Sequence, residues 1–183
     1  EIIKDLVNSS SNFNAISLRY FNPIGAHPSA LIGELPIGIP QNLVPYITQT
    51  AIGKRNELTV FGDNYLTRDG SCIRDYIHVV DLAKAHIKSL EKLIKESSKN
   101  YYDAFNIGTG KGTSVLELIS CFESVSGKKL NFRIGERRKG DIAKCFADVS
   151  KANELLNWKS KHSIEDAILS SWNWEKHIKN EKL

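Results

Sequence analysis

An α/β fold is predicted for this sequence from three observations. Short runs rich in β-branched and aromatic residues, Ala15–Tyr20, Leu58–Phe61 and Tyr102–Ile107, alternate with stretches whose apolar residues recur at helical spacing. A Ser114-x-x-Glu117 capping box opens one such stretch and Gly127 ends it. Segments rich in Gly, Pro, Asn and Ser separate the elements.

In chain order, residues 1–9 read as the end of an amphipathic helix with Ile2, Ile3, Leu6 and Val7 on one side, broken by Asn8, Ser9, Ser10, Ser11 and Asn12. The strand Ala15–Tyr20 follows, and Asn22-Pro23 is expected to close it. Gly25 to Pro40 lacks periodicity and reads as a long ordered loop. Asn42 is the expected cap of a helix to about Ile52, with Pro45 in its first turn and Gly53 past its end. Gly62 ends the strand at Leu58–Phe61, and a polar turn leads into a second run, Ile73 to Leu82. Asp81 is the expected cap of a long helix with Ala83, Ile87, Leu90, Leu93 and Ile94 at helical spacing, and Glu91 and Lys95 on its exposed side. A buried strand Tyr102–Ile107 precedes the capped helix of Val115, Leu118, Ile119, Phe122 and Val125. A strand near Leu130–Ile134, the charged segment Glu136–Asp141 and a short strand around Phe146 come next. Two closing helices, Lys151–Asn157 and Ile164–His177, bring Trp158, Trp172 and Trp174 to the core.

Composition narrows the function. The 183 residues, 41% hydrophobic and 25% charged, match an ordinary globular protein with a substantial core. A net charge of +4 is spread among acids rather than gathered in a block, which argues against nucleic acid as a partner. Cys72, Cys121 and Cys145 are too dispersed for a Cys-x-x-Cys site, and their odd count argues against a disulfide framework, which predicts a reducing compartment. No apolar run approaches the roughly 20 residues that a membrane span needs, so no membrane partner is expected. The chain contains no Met, even at position 1, which suggests a portion of something longer.

Chemistry concentrates in two places. Arg74-Asp75-Tyr76 sets a guanidinium and a phenol on one face of an extended chain, suited to a ligand with phosphate and ring parts. An ordinary ion pair from Arg74 to Asp75 or another acid, beside a buried Tyr, is the competing interpretation. In Glu136-Arg137-Arg138-Lys139-Gly140-Asp141 the neighbouring arginines point opposite ways, so only one can reach a common ligand. The segment is otherwise a solvated loop; together, Arg74 and one of these arginines could clamp a diphosphate. Gly108-Thr109-Gly110-Lys111-Gly112 has neither dinucleotide nor P-loop spacing and reads as a structural turn. The five histidines lack metal-ligand spacing.

Five runs, Leu18–Ser29, Gly38–Tyr46, Val60–Asp63, Arg74–Ala83 and Arg137-Arg138-x-Gly140-Asp141, together resemble in order and spacing the C-terminal half of the UDP-glucose 4-epimerases of the extended short-chain dehydrogenase/reductase family. The resemblance covers about residues 13 to 174, and the run Tyr20–Ser29 is specific to the epimerases.

The resemblance implies the last strands and helices of a Rossmann-type sheet plus a smaller substrate domain. Residues 1–23 and about 75–110 would complete the Rossmann-type domain, and about 24–74 and 111–183 would bind UDP-sugar, with the N-terminal NAD-binding half absent. The intact, cytoplasmic, homodimeric enzyme would interconvert UDP-glucose and UDP-galactose through a 4-keto intermediate with NAD as cofactor. Phe21 and Pro23 would lie by the nicotinamide and Asn22 on the substrate diphosphate. Asn42, Leu43, Thr59, Val60 and Phe61 would hold the uridine part, Arg74 and Arg138 phosphate, with Tyr76 beside them, Asp141 the ribose and Val115 the uracil. Cys145 stands where family members carry either a bulky Tyr or a small residue beside the sugar. Two interpretations stay open for it: room for an N-acetyl group, or a plain small thiol.

The departures carry as much weight. None of the six tyrosines has Lys four residues on, so the family's Tyr-x-x-x-Lys base is missing, and the Gly-rich pyrophosphate turn is missing too. The chain alone is therefore expected neither to bind NAD well nor to turn over. The N-terminal half of the same enzyme is the expected partner. The rival readings are a nucleotide-sugar 4,6-dehydratase relative and a non-catalytic nucleotide-sugar binding module.

Overall fold

A computed structural model describes residues 1–9 and 12–181. The predicted break after the first helix falls partly on Ser10 and Ser11, which lie outside the described residues. Helix α1 (Ile2–Ser9) leads to strand β1 (Ala15–Tyr20), which pairs in parallel with β6 (Tyr102–Ile107), Ala15 opposite Tyr102 and Tyr20 opposite Ile107. Asn22-Pro23 does not end the extended chain. Phe21 N–H donates to Ile107 O at 3.2 Å, Asn22 N–H donates to Asp75 O at 2.9 Å, and β2 (Asn22–Ile24) continues parallel to β5 (Tyr76–His78). Pro23 is accommodated because the strand changes partner at this point and its neighbour Asn22 carries the linking bond.

The loop from Gly25 leads to α2 (Leu43–Ala51), and Gly53 sits past its end at φ +86°. Asn42 has the extended backbone of a cap but makes no capping bond; its Nδ2 donates to Glu34 Oε1 at 2.7 Å instead. Strand β3 (Leu58–Phe61) pairs in parallel with β8 (Phe132–Gly135). A three-stranded sheet sets β4 (Ile73–Arg74) between β7 (Thr113–Ser114), antiparallel, and β9 (Lys144–Cys145), parallel.

Helix α3 (Val79–Lys95) begins two residues before its expected cap. His78 is the cap, its Nδ1 accepting from Val80 N–H at 3.0 Å, while Asp81 lies inside the first turn, fully buried. Asp81 accepts from the N–H groups of Lys161 at 2.7 Å and His162 at 2.8 Å and pairs with His162 Nδ1 at 2.9 Å, tying α3 to the segment before α6. The packed side of α3 is Leu82, Ala85 and Ser89, the last two small enough to let it lie close to β1. The predicted stripe of Ala83, Ile87, Leu90 and Ile94 faces outward, as do Ile2, Ile3 and Leu6 of α1.

Helix α4 (Val115–Ser126) has the predicted Ser114–Glu117 capping box and ends on Gly127 at φ +67°. Helix α5 (Ser150–Leu155) packs on β6, and α6 (Ile164–Glu181) runs past the predicted end at His177. The main core joins Ile24, Val44, Ile47, Val60, Tyr76, Leu118, Phe122, Ile168 and Trp172, with Phe122 edge-on to Trp172 at 5.5 Å. A second core joins Ile77, Leu82, Ala85, Phe105, Ile107, Ala152 and Trp158 around β6. Trp174 packs against Ala26 and Ile178, and its Nε1 donates to Glu34 O at 2.8 Å, pinning the long loop. Among the described residues no helix is long and apolar enough to cross a membrane.

Candidate functional site

The two arginines singled out from the sequence converge. Arg74 is the last residue of β4, held in register with Thr113 on one side and Cys145 on the other. Its Nη1 donates to Ile73 O at 2.9 Å and Ile142 O at 2.6 Å, which fixes the guanidinium at the edge of the sheet. Its Nη2 stands 3.6 Å from Asp141 Oδ1, and Arg138 Nη2 donates to that same oxygen at 2.9 Å. The Arg138 guanidinium lies 5.6 Å from the centre of the exposed Phe61 ring, at the end of β3. The Asp141 side chain is only 13% exposed, whereas that of Arg138 is 62% exposed. The hydrogen bond that Arg138 donates to Asp141 holds the Arg138 pKa above its ordinary value. Phe61, Arg74, Arg138, Asp141 and Cys145 thus form one cluster, cationic and fork-shaped, of the kind that takes a phosphoryl group.

As expected from backbone geometry, only one of the adjacent arginines joins it. Arg137 points the other way, its Nε donating to Asn64 Oδ1 at 2.6 Å and its guanidinium lying 4.2 Å over the Tyr65 ring. Arg137 was one of the two arginines that the sequence offered for the site; Tyr65 was not marked.

The ordinary ion pair expected of Arg74 does form, but with another acid, Asp141, rather than with its neighbour Asp75. Asp75 is fully buried and turned away, accepting from Thr109 N–H at 2.8 Å, Thr109 Oγ1 at 2.6 Å, Gly110 N–H at 3.0 Å and Ala147 N–H at 3.1 Å. The glycine turn is therefore an anion nest whose anion is internal. A Cβ at Gly108 would stand 2.5 Å from Asp75 Oδ2, which explains glycine there. The signal was present in the sequence as a glycine-rich turn after a strand; its partner, far off in the chain, was not.

Arg74 and Tyr76 also part company, because Asp75 separates two strands of different sheets. Tyr76 is in the main core, 6% exposed, and burial pushes its phenol up to about 12 against the pull of Arg74. The remaining predicted residues lie on separate elements. Phe21 and Pro23 are half-buried and Asn22 exposed at the β1–β2 junction. Asn42 is exposed and Leu43 half-buried at the start of α2. Thr59 is half-buried and Val60 fully buried on β3. Val115 opens α4, with its N–H donating to Cys72 O at 3.1 Å.

Two shallow surface hollows, one beside Lys88, Glu91 and Leu156 and the other around Gly127, include none of these residues. Among the described residues no group of three His, Cys, Asp or Glu side chains could hold a metal ion.

Comparison with known proteins identifies the family. The family model described as GDP-mannose 4,6 dehydratase matches residues 2–170. The UDP-glucose 4-epimerase of Bacillus subtilis is 51% identical over 175 residues, which are 96% of this chain and 51% of that protein. The Dictyostelium discoideum UDP-glucose 4-epimerase is 52% identical over 174 residues, covering 95% of this chain and 50% of that protein. The Stenotrophomonas maltophila UDP-glucose-4-epimerase, solved with NAD and formylated UDP-arabinopyranose, superposes with a TM-score of 0.94 at 47% identity, covering 98% of this chain and 53% of that one. The Bifidobacterium longum enzyme, solved with NAD+ and UDP, gives 0.89 at 46% identity, with 98% and 52% covered. The chain spans about half the length of the curated relatives it matches. The chain therefore belongs to the GDP-mannose 4,6 dehydratase family of extended short-chain dehydrogenase/reductase folds, and within it is similar to UDP-glucose 4-epimerases.

Proposed function

We propose that this chain is the nucleotide-gripping half of a UDP-glucose 4-epimerase, which interconverts UDP-galactose and UDP-glucose through a 4-keto intermediate. The observation that carries the reading is the meeting of Arg74 and Arg138 on one carboxylate oxygen beside the exposed Phe61 ring. In this reading the two guanidinium groups take the diphosphate, with Asn22 joining them at the strand junction. Phe61, Thr59, Val60, Asn42, Leu43 and Val115 hold the uridine, Asp141 takes the ribose, and Tyr76 backs the site from the core.

The chemistry needs an uneven grip. A ketose has to turn over between two hydride transfers without leaving, so the nucleotide is held hard while the hexose is held loosely. Charged forks on phosphate give strong, directional bonds far from the reacting carbon. In this reading the small, exposed side chain of Cys145, opposite Arg74 in the sheet, lies beside the sugar. That small side chain supports acceptance of UDP-N-acetyl sugars as well.

NAD is the cofactor of this reading, yet the residues of this chain do not fit its pyrophosphate. The glycine turn after β6 is already filled by Asp75, and no Tyr-x-x-x-Lys pair occurs in the sequence. Phe21 and Pro23 offer only a wall toward the nicotinamide. The partner is therefore an NAD-binding N-terminal half, with homodimerisation of the whole. Support comes from the outward apolar residues of α1 and α3 and from β1, which among the described residues pairs only with β6. The two cores, one around β6 and one around α4 and α6, support a division into a Rossmann-type part and a UDP-sugar part, with α5 joined to the former.

Calorimetry with UDP on this chain, and an epimerisation assay after supplying the N-terminal half of the Bacillus subtilis relative, test the proposal. UDP binding by the chain and turnover only in the pair are expected. Binding that never leads to turnover in a well-assembled pair would favour a non-catalytic module, and a 4-keto-6-deoxy product would favour a dehydratase.

A further inference from the structure

Arg137 makes a denser set of contacts than a solvated loop residue needs. Nε and Nη2 of its guanidinium both donate to Asn64, to the side-chain amide oxygen and the backbone carbonyl respectively, and its flat face covers Tyr65. The strands beneath stay joined up to this point, with Gly62 N–H donating to Gly135 O at 2.9 Å. Gly62 has φ +83°, and a Cβ there would lie 2.7 Å from Tyr65 Cε2 and 2.8 Å from Arg137 Cγ, so the ring and the Arg137 stem pass directly over its backbone. Tyr65 is 7% exposed and anchored by its own N–H to Gly70 O at 2.8 Å, yet its hydroxyl has no hydrogen-bond partner among the described residues.

We propose that Arg137 is a positioning residue for the diphosphate grip, resting on Tyr65 and Asn64 so that its neighbour Arg138 is held over Phe61 toward Asp141. This rests on the reading that Arg74 and Arg138 receive a diphosphate. With Nε and Nη2 each donating to Asn64 and the guanidinium lying over the Tyr65 ring, Arg137 is tied to the scaffold. Fixing its stem fixes the backbone at the next residue, and the turn closed by Asp141 N–H to Arg138 O at 3.2 Å transmits the constraint to Asp141. Without the anchor, a long and exposed Arg138 has to be ordered by each incoming ligand, a loss of about tenfold in affinity.

The test is calorimetric titration of the full chain with UDP, with uridine binding followed in parallel by saturation-transfer NMR and the Tm of each variant recorded. Arg137→Leu and Arg137→Lys are both expected to lose about tenfold in UDP affinity while keeping uridine, because lysine restores the charge but not the fork. Tyr65→Phe, which keeps the ring, is expected to retain the affinity that Tyr65→Leu loses. Wild-type UDP affinity in Arg137→Lys shows that charge alone matters and overturns the proposal, as does a parallel fall for UDP and uridine or no fall at all. If Arg137→Leu does not fold, Arg137→Lys and Tyr65→Phe decide. Wild-type chain that takes up no UDP sinks the diphosphate reading itself, and this inference with it.

Discussion

Asp141→Asn separates a phosphate-binding fork from an ion-pair cluster that serves only the fold. Asp141 shares one oxygen between Arg74 and Arg138, so a phosphoryl group arriving there competes with an anion already in contact with both guanidinium groups. A phosphate seated between them would lie roughly 5 Å from the carboxylate, where like charges repel by about 3 kcal/mol at an effective dielectric constant of about 20. Arg138 is largely exposed, so water and salt screen most of this, leaving about 1 kcal/mol. Asparagine keeps the shape and an acceptor for Arg138. Inorganic pyrophosphate, which has no ribose to lose, should therefore bind about fivefold more tightly to Asp141→Asn, measured calorimetrically at low ionic strength. UDP should gain less, because the same side chain is assigned to its ribose, and the ratio of UDP to pyrophosphate affinity should fall. Unchanged or weaker pyrophosphate binding would show that phosphate does not enter between the arginines.

Asp75→Ala strands the N–H groups of Thr109, Gly110 and Ala147 in the interior and should cost about 3–5 kcal/mol, seen as a lower denaturant midpoint. Burial and the neighbouring His162 hold the His78 pKa below its ordinary value, and protonation also removes the Nδ1 acceptor that caps α3. Because the folded pKa is the lower one, this contribution is full above the unfolded value of about 6.5 and is lost as pH falls through the folded pKa. A urea midpoint that drops on acidification in the wild type, and drops less in His78→Asn, is the expected result. In the pair reconstituted with an NAD-binding half, Cys145→Tyr should abolish turnover of UDP-N-acetylglucosamine and spare UDP-galactose; two unchanged activities would dismiss the role given to Cys145.

Local chemistry was legible where a residue's partners lie nearby in the chain. Ser114 and Glu117 are three residues apart, and their capping box forms as expected. Ala15–Tyr20 and Tyr102–Ile107 carry the content of strands and are strands. Long-range partners were not legible. Asp75 looked like the mate of Arg74, because nothing in its own segment points to a turn more than thirty residues away. Helical periodicity placed Ile87, Leu90 and Ile94 on one face of α3, but periodicity cannot say which face is covered, and the packed face proved to be the one with Ala85 and Ser89. His78 took the cap from Asp81 because a carboxylate with three donors on the segment before α6 is more useful inside the first turn than at its start. The arginine cluster was anticipated from the chemistry of guanidinium and phosphate and from resemblance to the epimerases. The Arg137–Tyr65 stack, formed between distant segments, was not.

The carboxylate lodged in the glycine turn has a bearing on ligand selection. The N–H groups of that turn would otherwise be free to take an anion from solvent, but here they are consumed from within. Solvent-borne anions meet a neutralised surface at that corner of the molecule, and the arginine fork gains selectivity from the silence of its neighbour.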